Sequence, residues 1–143
     1  MFKKILLAVD GSAASQKAVE WARKTYEELP HSQISILYVH LPAIPVGPAG
    51  GVYIPITYEQ ANPITPEETP AYDAWNQFPD KQRVTYDVEE GNPAELICRR
   101  AREEQCDVIV LGAEGHGLVS SVLLGSVSAK VLHQASVSVL IIR

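Results

Sequence analysis

The chain has 143 residues, 46% of them hydrophobic and 20% charged, with a formal net charge of -5. That length and apolar content suit one domain that buries its own core without disulfide or metal staples. The acidic balance and the lack of any Lys/Arg cluster argue against nucleic acid as the main partner, because phosphate-backbone binding needs clustered cations.

Cys98 and Cys106 have no His or second cysteine pair at metal-ligand spacing, so they read as small buried thiols and not as a zinc site or disulfide framework. The apolar run after Lys3-Lys4 is too short for a signal-peptide core or a membrane span. No membrane association and a reducing cytoplasm are expected.

In chain order, Ile5–Val9 is a compact apolar run without alternation, the pattern of a strand covered on both faces, and it stops at Asp10-Gly11-Ser12. Ser12 is an N-cap candidate for an amphipathic helix in which Ala14, Ala18, Trp21, Ala22 and Tyr26 recur at helical spacing until Pro30. Gln33–Val39 is a second strand, rich in β-branched and aromatic residues, ending at His40-Leu41-Pro42.

Between Pro42 and Pro79 the character changes, with eight of the ten prolines and three of the nine glycines, so no long helix runs through it. A Pro-rich insertion at about 43–80 is expected, either a surface flap or a disordered segment, with Tyr53, Ile54, Ile56 and Tyr58 favouring partial docking. Near its end Thr69 caps a short helix at Pro70–Gln77, with Tyr72, Trp75 and Phe78 three apart. Arg83–Val88 is a third strand that Glu89-Glu90-Gly91 should end. Asn92-Pro93-Ala94-Glu95 starts a third helix with a cap, a first-turn proline and a capping-box Glu, and Ala94, Ile97 and Ala101 form its apolar stripe.

Asp107–Lys130 then carries the densest chemistry. Val108-Ile109-Val110-Leu111 reads as a buried strand; Gly112, Gly115, Gly117 and Gly125-Ser126 follow; and Val127, Val131, Leu132 and Ala135 give a fourth helix its buried face. Glycine allows close backbone approach, and a helix start offers unpaired N–H groups to an anion, so the stretch is either a phosphate loop or a connecting turn. Val137–Ile142 is a last strand whose apolar edge invites pairing with a second copy. Five strands alternating with four helices imply an α/β fold: an open parallel sheet with helices on both faces.

In such sheets ligands sit beyond the carboxyl ends of the strands where the order reverses. If strands one and four are neighbours, the loops at Asp10-Gly11-Ser12 and Gly112–Gly125 line one crevice. Asp10 would repel a phosphate, which leaves it the base or ribose end, a metal bound to the phosphates, or a plain role at the helix start. There is no P-loop lysine, and the glycines follow the fourth strand and not the first, so neither common nucleotide signature applies.

Gly112-x2-Gly115-x9-Gly125-Ser126 with Val127 resembles the nucleotide-binding signature of the universal stress protein family. Ile5–Ser12 (ILLAVDGS), Gly91–Gly112 and the closing VSVLIIR resemble its first strand and loop, its third helix with fourth strand, and its last strand. The likeness leaves out roughly Ala43–Asp80. It implies a Rossmann-like, adenine nucleotide alpha hydrolase-like domain over 1–143 with strand order 3-2-1-4-5, and a homodimer joined through the last strand. It also implies a subgroup that holds ATP or AMP, with or without Mg, in stress response or signalling.

Carried across, Asp10, with Gly11 and Ser12 in the same loop, meets the adenine or ribose side and the main chain around Val39 meets the base. Gly112, Gly115, His116 and Gly117 wrap the ribose and phosphates, and Gly125, Ser126 and Val127 complete the cradle. One departure is Glu114, anionic where nucleotide-binding members commonly carry a basic or polar residue; a partly protonated His116 would compensate. Ser126, His116 and Asp10 are triad residue types, but nothing sets them in a relay, so binding with at most slow hydrolysis is expected. The alternative is a nucleotide-free dimeric interaction protein; a ligase or pyrophosphatase of similar topology lacks the Gly-Gly first loop it should have.

Overall fold

A computed structural model describes residues 2–42, 64–113 and 124–143. Its elements are β1 (Lys4–Val9), α1 (Ala13–Glu28), β2 (Gln33–His40), a 3-10 turn (Pro66–Glu68), α2 (Pro70–Asn76), β3 (Val84–Glu90), α3 (Pro93–Glu103), β4 (Val108–Gly112), α4 (Ser126–Gln134) and β5 (Ser138–Ile142). The sheet is parallel throughout and ordered β3-β2-β1-β4-β5.

The unbroken apolar run of β1 follows from its central place. Ile5, Leu7 and Val9 pack into one cluster with Ala18, Ala22 and Tyr26 of α1 and with Ala71 and Ala74 of α2. Leu6 and Ala8 face the other way, against Ala94, Ile97 and Ala101 of α3 and Val131 of α4. Side chains alternate across a strand, so a strand with helices on both faces must be apolar at every position. Leu7 is fully buried, and its truncation to Ala would cost roughly 2–5 kcal/mol.

Three helices start on a side-chain cap: Ser12 accepts from the Ser15 N–H, Thr69 from Tyr72 and Asn92 from Glu95. Each cap satisfies one of the N–H groups that a helix start leaves without an intrahelical acceptor. α4 differs, because its cap position is Gly125, and among the described residues no side chain makes a capping hydrogen bond to it.

The third strand runs further than its sequence suggests. Glu89 and Glu90 belong to β3 and pair with Val39 and His40. β3 is an edge strand, and α3 supplies cations to Asp87 and Glu89. Arg99 reaches Glu89 at 3.0 Å, and Arg100 reaches Asp87 at 2.6 Å and Glu89 at 3.1 Å. The 3-10 turn at Pro66–Glu68 is an element that sequence pattern does not show, since each of its residues equally suits a loop.

The turn between β1 and α1 uses Gly11 at φ +81, a left-handed conformation that a side chain would strain. Residues 43–63 of the Pro-rich segment, Tyr53, Ile54, Ile56 and Tyr58 among them, fall outside the described residues, as do Glu114, Gly115, His116 and Gly117. No helix among the described residues is long and apolar enough to cross a membrane.

Candidate functional site

β1 and β4 are neighbours, and β2 flanks β1 on the other side, so the carboxyl ends of all three converge. The order reverses there, because β2 and β3 lie to one side of β1 while β4 and β5 lie to the other. A cavity of about 410 Å³ opens at this point, bounded by Ala8–Asp10 of β1 and its loop, Leu37–His40 of β2 with Leu41 beyond it, Leu111 and Gly112 of β4, Pro93 and Ile97 of α3, and Gly125–Ser128 at the start of α4. Its size suits a mononucleotide-sized ligand.

The wall is chemically graded. Leu37, Val39, Ile97 and Leu111 belong to, or pack against, the cluster under α3 and α4, which makes an apolar slot between the β2 end and α3. Asp10 is the only Asp, Glu, Lys or Arg among the described lining residues. His40 adds an imidazole, with its ring 6.4 Å from that of Tyr38.

The α4 start closes the far side. The Gly125 N–H donates to the Ala113 carbonyl at 2.7 Å, the Ala113 N–H to the Ile142 carbonyl at 2.7 Å, and the Ser128 hydroxyl to the Gly112 carbonyl at 2.7 Å. Two of these bonds pin the first turn of α4 to the end of β4, and the third ties that end to β5. Helix geometry leaves the N–H groups of Ser126, Val127 and Ser128 without intrahelical acceptors, and all three residues line the cavity. The helix dipole adds positive potential at the same point.

Of the residues picked from sequence, Asp10, Val39, Gly112, Gly125, Ser126 and Val127 come together around this cavity. Gly11 and Ser12 do not. They line a smaller space of about 140 Å³ between α1 and α2, together with Gln16, Asp73 and Gln77. The Ser12 N–H instead donates to the Asp10 carboxylate at 2.9 Å. Gly115, His116 and Gly117 lie outside the described residues.

Gly112 serves a purpose that spacing alone does not disclose. A Cβ there would lie 2.5 Å from the Ala14 carbonyl carbon, 2.6 Å from the Ser15 nitrogen and 2.8 Å from the Ala14 oxygen. Its missing side chain lets the first turn of α1 press against the end of β4, so the close approach is made by the chain itself.

Sequence reasoning passed over His40, Pro93, Ile97, Ser15 and Ser128. His40 had a usable signal, since it ends a parallel strand beside β1. Ser15 and Ser128 had none, being ordinary first-turn serines until their partners are known. Among the described residues no cluster of three or more His, Cys, Asp or Glu could hold a metal.

A family model described as the universal stress protein family matches residues 1–143. Universal stress protein YxiE of Bacillus subtilis is 32% identical over 149 residues, covering 100% of both chains. Among solved structures, the protein MJ0577 superposes with a TM-score of 0.73 at 20% identity, covering 99% of this chain and 96% of that one. A universal stress protein in complex with cAMP superposes with a TM-score of 0.65 at 20% identity, covering 99% and 97%.

Proposed function

This chain belongs to the universal stress protein family, and from that premise we propose that it is a single-domain, cytoplasmic adenine-nucleotide-binding module of stress response or signalling, acting as a homodimer. The observation that carries this reading is the first turn of α4, whose cap position is a glycine and which two hydrogen bonds to backbone carbonyls hold against a nucleotide-sized cavity at the reversal of strand order. The base lies in the apolar slot by Val39 and Ile97, Asp10 accepts from the base or ribose, and the phosphate sits on the N–H groups of Ser126–Ser128, with the Ser126 hydroxyl as a further donor. Gly115, His116 and Gly117 complete the cradle by resemblance. The structurally similar protein solved with cAMP supports the adenine class.

Charge favours a monophosphate. The described lining holds no Lys or Arg and one carboxylate, so AMP is matched by one helix start, whereas ATP needs Mg to offset its added charge. Calorimetry with AMP, and with ATP plus Mg, tests the reading; the expected result is saturable heat at one nucleotide per chain, tighter for AMP when Mg is withheld. The same scarcity of cations favours a second reading, a nucleotide-free dimeric interaction protein. Adenine nucleotide released on denaturing the purified protein, detected by mass spectrometry, counts directly against that alternative.

Dimerisation through the last strand is supported by β5 being a sheet edge, with Val139, Leu140, Ile141 and Ile142 only partly buried and Leu132 of α4 52% exposed. Such an edge offers an open hydrogen-bond ladder to a twin. Light scattering should give twice the 15.6 kDa chain mass at micromolar concentration; a monomeric mass refutes the proposal.

A further inference from the structure

The geometry points to Ser15 as the positioning residue of Asp10, setting how that carboxylate is presented to a nucleotide; this rests on the adenine-nucleotide reading of the cavity. Ser15 lies in the first turn of α1 and is 4% exposed, unusual for a hydroxyl that helices ordinarily turn to water. Its oxygen accepts the Asp10 N–H at 3.1 Å. The Ser15 N–H donates to the Ser12 hydroxyl oxygen at 3.1 Å, and the Ser12 N–H donates to the Asp10 carboxylate at 2.9 Å. Three hydrogen bonds thus form a closed ring, and Asp10 is gripped in it twice, by its amide and by its side chain.

The ring sits where the chain leaves the sheet. The pairing of β1 with β2 ends at Val9 and Tyr38, so the Asp10 amide has passed beyond the ladder and Ser15 supplies its acceptor. Ser15 also borders the nucleotide-sized cavity and the smaller space between α1 and α2, which makes it part of the wall between them. On its backbone side it abuts Gly112, whose absent Cβ would lie 2.6 Å from the Ser15 nitrogen. One residue therefore fixes both the orientation of Asp10 and its spacing from the end of β4. Ser15 acts through Asp10, and no contact of its own with the ligand is invoked.

The experiment compares wild type with S15A, S15T, D10A and D10A/S15A, reading the AMP dissociation constant, the affinity for inorganic phosphate, thermal stability, and amide hydrogen exchange at Asp10 by NMR. Ser15→Ala should weaken AMP about tenfold by removing the acceptor of a part-buried donor, with phosphate affinity unchanged and the Asp10 amide exchanging faster. Ser15→Thr, which keeps the hydroxyl, should recover most of the affinity. The double variant should bind no more weakly than D10A, because the effect passes through a carboxylate that is no longer there. AMP affinity of S15A within twofold of wild type, or additive losses in the double variant, overturns the proposal. If wild type binds no AMP, the nucleotide reading fails separately, and wild-type protection of the Asp10 amide in S15A then overturns the positioning role on its own.

Discussion

Gly112→Ala tests the junction on which the site is built. The added methyl would meet three backbone atoms of Ala14 and Ser15 at 2.5–2.8 Å, and backbone in the first turn of a helix cannot swing aside as a side-chain tip can. The φ of Gly112 lies outside the left-handed range, so the cost is steric and not conformational. Forcing a methylene into packed structure costs typically 1–3 kcal/mol, and rigid neighbours put this site at the upper end, about 3 kcal/mol. For a chain of 143 residues that corresponds to a fall in melting temperature of roughly 10 °C. Urea unfolding of wild type and variant gives the free energy, and AMP titration below the transition gives the functional effect. Since α1 must move away from β4, and Ser15 moves with it, AMP affinity should fall even where the variant is fully folded. A stability change under about 0.5 kcal/mol, with unaltered AMP affinity, refutes the idea that Gly112 is there to admit α1.

Cys106 is buried and desolvation pushes its thiol up to about 11; burial raises Cys98 as well. At pH 8 only about a thousandth of Cys106 is thiolate, so iodoacetamide should leave native protein unlabelled for hours yet modify both cysteines rapidly in urea, as intact mass will report. Asp107 accepts the backbone N–H groups of Lys3 and Lys4 at 2.7 and 2.8 Å, and those bonds lower its pKa. A depressed carboxylate stabilises the fold above its unfolded value, and the stability is lost as pH falls below about 4. Asp107→Asn should therefore be less stable than wild type at pH 7, with the gap narrowing toward pH 2 in chemical denaturation curves; a gap constant across that range contradicts the assignment.

Where local rules dominate, the fold was legible in the sequence. The Ile5–Val9 run read as a strand covered on both faces because β1 is central, and Asn92-Pro93 marked the start of α3 because cap and first-turn preferences are local physics. Glu89 and Glu90 were read as ending the strand, while the Arg99 and Arg100 side chains that pair with Glu89 come from another element. At the site, Asp10, Val39 and the Gly125–Val127 start were within reach through loop chemistry and resemblance. Pro93 and Ile97 were not, since which turn of α3 borders the cavity depends on how that helix packs across the strand ends. Gly112 lines the cavity and also admits the first turn of α1, and Gly11 and Ser12 line the smaller space between α1 and α2.

On the proposed function, the start of α4 and the Asp10 loop together hold an adenine nucleotide. Titration calorimetry with AMP at pH 7 without divalent metal is the decisive measurement. Saturable binding at one nucleotide per chain, weakened about tenfold or more by Asp10→Ala and accompanied by a concentration-dependent rise in melting temperature, is the predicted result. Absence of heat and of any thermal shift at millimolar AMP, with ATP and Mg equally silent, contradicts it.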